Sequence, residues 1–167
     1  MSRRYVLGID IGGTNLVAGC VSEDGSALHG LRSEPTVAEK GADDVIERIL
    51  RLAHAAMEET RAVDRQAEIV GVGIGAPGPL DTRRGIVLLT PNLGWRNMPL
   101  RERVGGPLGL PAALDNDANC AALGEWWMGA ARGARPARGG PSGAGIGGGG
   151  IIDGRRVDGA AACAGAV

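Results

Sequence analysis

Phenylalanine is absent from the 167 residues, tyrosine occurs once and tryptophan three times. A core of stacked aromatic rings is thereby excluded, and the 44% apolar fraction must pack through aliphatic side chains. Lysine is nearly missing as well. Lys40 is the only one, so no Gly-x-x-x-x-Gly-Lys phosphate loop exists. Cys20, Cys120 and Cys163 stand far apart without a Cys-x-x-Cys pair, and only His29 and His54 could complete a metal shell. Structural zinc is not expected, and the thiols read as buried and reduced. No run approaches the roughly 20 apolar residues of a membrane-spanning helix. Met1-Ser2-Arg3-Arg4 leads into a strand-like run without the apolar stretch of a leader, so a soluble, cytoplasmic protein is expected. A net charge of −1 leaves no basic excess for nucleic acid or an anionic lipid surface, and neither is an expected partner.

What the chain has in quantity is glycine, 30 residues of it. Residues 4–11 place Tyr5, Leu7 and Ile9 on one face and Val6 on the other, the apolar density of a buried central strand. Gly12-Gly13-Thr14-Asn15 must turn, Leu16 to Val21 resumes the apolar pattern, and Ser22-Glu23-Asp24-Gly25 offers a hairpin before Ala27 to Arg32. The expectation is a three-stranded antiparallel meander. Residues 43–60 carry Val45, Ile46, Ile49, Leu50, Ala53, Ala56 and Met57 at helical spacing, with Asp43 and Asp44 at the positive end and a Glu47–Arg51 pair. His54 on that helix reads as a flank residue. A strand over Glu68 to Ala76 ends at Pro77-Gly78-Pro79, whose rings force the chain out of the sheet into a rigid loop that holds Asp81. Short strands at 85–89 and 112–114 and a weak helix at 98–106 follow. A helix over 117–130 has a small face of Ala118, Ala121 and Ala122, with Leu123, Trp126 and Trp127 as bulk.

Composition shifts after Gly129. From 129 to 145 the chain is Ala, Gly, Pro, Ser and three arginines, the make-up of a flexible linker. The expected organisation is an N-terminal lobe over 1–114, a connecting helix over 115–130, a flexible segment over 131–144, and an incomplete start of a second lobe over 145–167.

Two glycine runs, Gly73-x-Gly75-x-x-Gly78 and Gly145-x-Gly147-x-x-Gly150, match the dinucleotide fingerprint, but neither opens a helix whose N-terminus could hold a pyrophosphate. Three other constellations carry chemistry. Asp10-x-Gly12-Gly13-Thr14-Asn15 follows a strand: its glycines let amides approach an anion, Thr14 adds a hydroxyl, and Asp10 could hold magnesium through water. Asp115-Asn116-Asp117-Ala118-Asn119 sits where a strand becomes a helix, so one side chain caps that helix while a carboxylate could accept a hydroxyl proton during phosphoryl transfer. The Pro77–Asp81 loop together with Asn92-Leu93-Gly94-Trp95 would offer rigid backbone and amide groups to a polyol. Each alone also fits an ordinary turn.

Taken in order, Gly8-Ile9-Asp10-Ile11-Gly12-Gly13-Thr14-Asn15, Gly73-Ile74-Gly75-Ala76-Pro77-Gly78-Pro79, Asn92-Leu93-Gly94-Trp95 and Asp115 through Glu125 resemble the ROK family of sugar kinases and repressors, most closely its bacterial glucokinase branch. The resemblance covers residues 4–130. It implies an α/β, actin-like ATPase (ribonuclease H-like) fold, with a β-meander plus helices in the N-terminal lobe and ATP and sugar in a cleft. It implies Asp117 as general base for a hexose hydroxyl, glucose foremost, and Gly78, Asn92, Asn116 and Asp117 as sugar contacts. Asp10, Gly12, Gly13 and Thr14 would form the first phosphate loop, with Mg²⁺ held by Asp10 through water.

The family's second phosphate loop falls on Gly145, Gly147 and Gly148, with Ala144 where the family carries a threonine. The family's later sugar-binding and zinc-binding segments have no counterpart before Val167, so a truncated or frame-shifted product is expected. The reading is an ATP-dependent hexose kinase of glucokinase type. The alternative is an inactive, sugar-binding remnant. A DNA-binding repressor would need a winged helix before the first strand. The preferred sugar, a polyphosphate donor and a homodimer stay open.

Overall fold

The computed structural model describes residues 2–128, 137–139, 149–152 and 155–156. Strands β1 (Arg3–Ile11), β2 (Asn15–Ser22) and β3 (Leu28–Pro35) form the expected antiparallel meander. Helix α1 (Ala42–Val63) then crosses over to β4 (Ala67–Ala76), which pairs parallel to β1. Next come β5 (Leu80–Asp81), β6 (Ile86–Thr90), β7 (Trp95–Met98) and helix α2 (Leu100–Leu108), before β8 (Ala112–Asn116) pairs parallel to β4. The main sheet runs β3-β2-β1-β4-β8, and β5-β6-β7 make a separate three-stranded sheet. Helix α3 (Asp117–Trp127) leaves directly from β8. Strand β9 (Ala137–Gly139), inside the segment read as flexible, pairs with β10 (Gly149–Ile152), which pairs with β11 (Arg155–Arg156). The rest of 131–144, and Gly145, Gly147, Gly148 and Cys163, lie outside the described residues.

The core lies between α1 and one face of the sheet. Tyr5, Leu7, Ile9 and Ile11 of β1 are all at most 3% exposed, while Val6 on the opposite face is 40% exposed. β1 is therefore buried on one side only, where its apolar density suggested two. On α1 the buried stripe is Val45, Ile46, Ile49, Leu52, Ala53, Ala56, Met57 and Thr60. Leu52 completes it in place of Leu50, which only flanks the cluster. The expected Glu47–Arg51 pair is not formed. Arg51 instead reaches Glu34 on β3 at 2.9 Å, and Arg48 pairs with Asp44. The Arg48–Asp44 pair is local, at i,i+4 within α1, whereas the Arg51–Glu34 pair is tertiary, since α1 packs on β3 and brings Glu34 within reach.

Helix α3 packs on β4, β8, β9 and β10, and its Ala118 and Ala122 are buried, 4% and 5% exposed, whereas Ala121, Leu123 and Trp127 are exposed. The bulk of Leu123 and Trp127 is thus exposed, at 44% and 43%. Among the described residues no helix is long and apolar enough to cross a membrane.

Candidate active site

Strands β1, β4 and β8 run parallel, so their carboxyl ends open on one edge of the sheet, where ligands of open α/β sheets bind. Each end delivers one of the three constellations. β1 delivers Asp10 and the Gly12–Thr14 turn, β4 the Pro77-Gly78-Pro79 loop, and β8 the Asn116-Asp117 junction with α3.

The register fixes the next level of detail. Asp10 pairs with Gly75, and Gly75 pairs with Asp115, so the three share one row and one face of the sheet. A Cβ at Gly75 would lie 3.5 Å from Asp10 Oδ1, 3.5 Å from the Asp117 Cα and 3.6 Å from Cys120 Sγ. Gly75 is therefore the floor between two carboxylates. Burial and, secondarily, the negative charge of Asp117 push the Asp10 carboxyl above the usual carboxylate range. Desolvation, then Asp10 and Asp117, push the Cys120 thiol up to about 11, so it stays protonated although the residue has an exposed side. The expectation of buried thiols holds for Cys20 and not for Cys120.

Helix α3 begins on Asn116, whose Oδ1 accepts from the amides of Ala118 (3.0 Å) and Asn119 (3.4 Å). This is an N-cap. The cap occupies the oxygen and leaves the Asn116 amide nitrogen as the group for a ligand. Asp117 Oδ1 accepts from the Ala118 amide at 2.8 Å, and Asp115 Oδ1 accepts from the Asn116 amide at 2.7 Å and from Asn119 Nδ2 at 3.3 Å. The cluster of polar residues thus divides its labour: Asp115 braces the junction, Asn116 caps, and Asp117 stands at the first turn.

Gly12 donates its amide to Asn15 O at 2.9 Å, closing the turn. The amides of Gly13 and Thr14 have no acceptor among the described residues, which suits them to an anion. Gly78 has φ +90°, and a Cβ there would fall 2.2 Å from Leu89 O, so only glycine lets the proline loop lie against β6. β6 in turn ends in a 3₁₀ turn, Pro91–Leu93, that holds Asn92 over Gly13, where a Cβ would meet Asn92 Cβ at 3.4 Å. Asp81, read as part of the loop, lies in β5 and accepts from the Arg84 amide at 2.9 Å, a turn contact.

Among the described residues no three His, Cys, Asp or Glu side chains gather as a closed metal cage. Two neighbouring carboxylates beside a turn with two unengaged amides would instead suit a hard dication that keeps most of its waters. Sequence reasoning missed Thr36 and Thr90 here, and took Trp95 only as part of its motif. Thr36 is tied to the Gly12–Thr14 turn, and the buried Thr90 Oγ1 and Trp95 Nε1, which bracket Asn92, have no hydrogen-bond partner among the described residues. Thr90 and Trp95 face each other across β6 and β7, a pairing that no local motif announces.

A mixed α/β domain with a meander, crossover helices and a polar crevice at the parallel strand ends is the architecture of the actin-like ATPase fold that sugar kinases use. Among solved structures the chain is similar to the Streptomyces griseus ROK family glucokinase in complex with glucose and AMPPNP, with a TM-score of 0.86 and 34% identity, over 97% of this chain and 49% of that one. The ROK family model matches residues 6–167, and the chain belongs to that family. Glucokinase of Thermotoga maritima is 40% identical over 134 residues, 80% of this chain and 40% of the relative. The xylose repressor of Caldicellulosiruptor bescii is 42% identical over 123 residues, 72% of this chain and 31% of the relative. The chain thus spans less than half the length of each of these relatives.

Proposed function

We propose that the chain carries the sugar-holding and phosphate-holding part of an ATP-dependent hexose kinase of glucokinase type. The observation that carries this reading is the meeting of Asp10 and Asp117 over Gly75, with Asn92 held against the phosphate turn. A phosphoryl group arriving on the Gly13–Thr14 side would lie beside a carboxylate placed to take a hydroxyl proton.

In this reading Gly78, Asn92 and the Asn116 amide nitrogen hold the hexose, and Asp117 accepts the proton of the attacking hydroxyl. The amides of Gly13 and Thr14 receive the phosphates, with Asp10 at the strand end turned toward the same space. Asp10 would hold magnesium through water, and the ion would supply positive charge against the phosphates. Gly12 shapes the turn, its own amide being engaged. The glucokinase relatives and the glucose and AMPPNP complex of the S. griseus enzyme support glucose and ATP as the substrates.

The test is a coupled ADP-release assay on the 167-residue chain with glucose, mannose and N-acetylmannosamine, and Asp117→Asn as control. Turnover with glucose that falls by about 10²–10⁴ in the control is the expected result. A folded sample that binds glucose and yields no ADP would make the chain a sugar-binding remnant.

A further inference from the structure

The turn that holds phosphate and the turn that holds sugar are carried by different sheets, yet transfer requires reacting atoms within about 3–3.5 Å of each other. One connection touches both. Thr36, just after β3, is fully buried; its Oγ1 donates to Gly12 O at 2.7 Å and its amide donates to Thr14 O at 2.8 Å. Both ends of the Gly12–Thr14 turn therefore hang on a single residue 22 to 24 positions away in sequence. The next residue, Val37, sits at φ 53°, ψ 51°, a left-handed conformation that a β-branched side chain adopts only where its surroundings impose it. That bend turns Ala38–Lys40 into a 3₁₀ turn packed against Pro91–Leu93, the turn of Asn92. Gly13, Thr14, Val37, Glu39 and Asn92 then line one cavity of about 680 Å³.

We propose that the Thr36–Lys40 connection sets the spacing between the phosphate turn and the sugar turn, with Thr36 as a positioning residue. The inference rests on the kinase reading above. Thr36 touches neither substrate; it acts by holding the Gly12 and Thr14 carbonyls, so that the intervening amides keep one direction. Backbone strain at Val37 keeps the far end of the connection pressed on the Asn92 turn, so a shift at Thr36 moves the phosphate side and leaves the sugar side in place.

The test compares Thr36→Val, which keeps the shape and removes the hydroxyl donor, with Thr36→Ser, which keeps the donor. Amide exchange of Gly12, Gly13 and Thr14, ATP and glucose affinity by titration calorimetry, and the thermal midpoint are measured on the whole chain. Thr36→Val should speed exchange at Gly12 and weaken ATP by about tenfold, with glucose affinity within about twofold of the parent, and Thr36→Ser should restore both. Unchanged exchange, or faster exchange with unchanged ATP affinity, overturns the inference. So does a Thr36→Val chain that fails to fold, or a loss that serine does not rescue, since either makes Thr36 a structural residue. Failure of the parent chain to bind ATP is a different result and strikes the kinase reading itself.

Discussion

Asp10 and Asp117 reach the same small volume from opposite sides of Gly75, and the charge of one helps to raise the carboxyl of the other. They arrive by different routes, Asp10 at the end of β1 and Asp117 on the first turn of α3. Parallel pairing of both strands to β4 brings those routes together, and the missing side chain at position 75 keeps the space between them open.

Gly75→Ala tests that space. The added methyl would meet Asp10 Oδ1, the Asp117 Cα and Cys120 Sγ at 3.5–3.6 Å, ordinary contacts, so stability should change by no more than about 0.5–1 kcal/mol. ADP release should nevertheless fall at least about tenfold, because the methyl occupies the gap where the transferring group would pass. A melt and a turnover assay on the same sample separate the two effects.

Asp10→Asn should stabilise the folded chain at neutral pH. A carboxyl whose folded pKa lies above its ordinary value favours folding while protonated and loses that contribution as pH rises through the folded value. The neutral amide escapes the loss. The midpoint should rise at pH 7 by about 1–2 °C, a small amount because Asp10 keeps a solvent-facing side, and the difference should vanish below about pH 4. Thermal melts at pH 4 and 7 decide it, and a variant that is less stable at pH 7 contradicts the sign.

Asn116 caps α3, and in the proposed reading its amide nitrogen also holds sugar, two roles that substitution can separate. Asn116→Ala removes the cap of α3 and should cost about 1 kcal/mol, whereas Asn116→Ser can still accept from the Ala118 and Asn119 amides and should cost little. Both remove the amide nitrogen, so both should weaken glucose by about tenfold. Chemical denaturation and calorimetry together show whether cap and sugar contact are one function or two.

Gly78→Ala should be the most damaging of these changes. The position needs φ +90°, and a Cβ would overlap Leu89 O, so a loss of at least about 2 kcal/mol is expected along with displacement of the proline loop. Urea unfolding measures it directly.

What the sequence revealed and what it hid divide along one physical line. The Asp-x-Gly-Gly-Thr turn, the Pro-Gly-Pro exit and the polar junction at 115–119 are local events, each a change of residue type at a strand end, and all could be placed from neighbouring residues. Thr36 could not, because its meaning lies in carbonyls of Gly12 and Thr14 that only folding brings near. The partner of Arg51 was hidden for the same reason: helical spacing points to Glu47, but packing of α1 on β3 supplies Glu34. Val6 shows a third kind of gap, since apolar character alone does not tell which face of an element finds a partner.

The most direct measurement of the central claim is a glucose titration followed by heteronuclear NMR of the 167-residue chain. The account predicts saturable shifts centred on the amides of Gly78 and Asn92 and on the side-chain amides of Asn92 and Asn116, weakened in Asn116→Ser. Glucose that leaves these signals unmoved in a folded sample, or that moves signals only elsewhere, would contradict it.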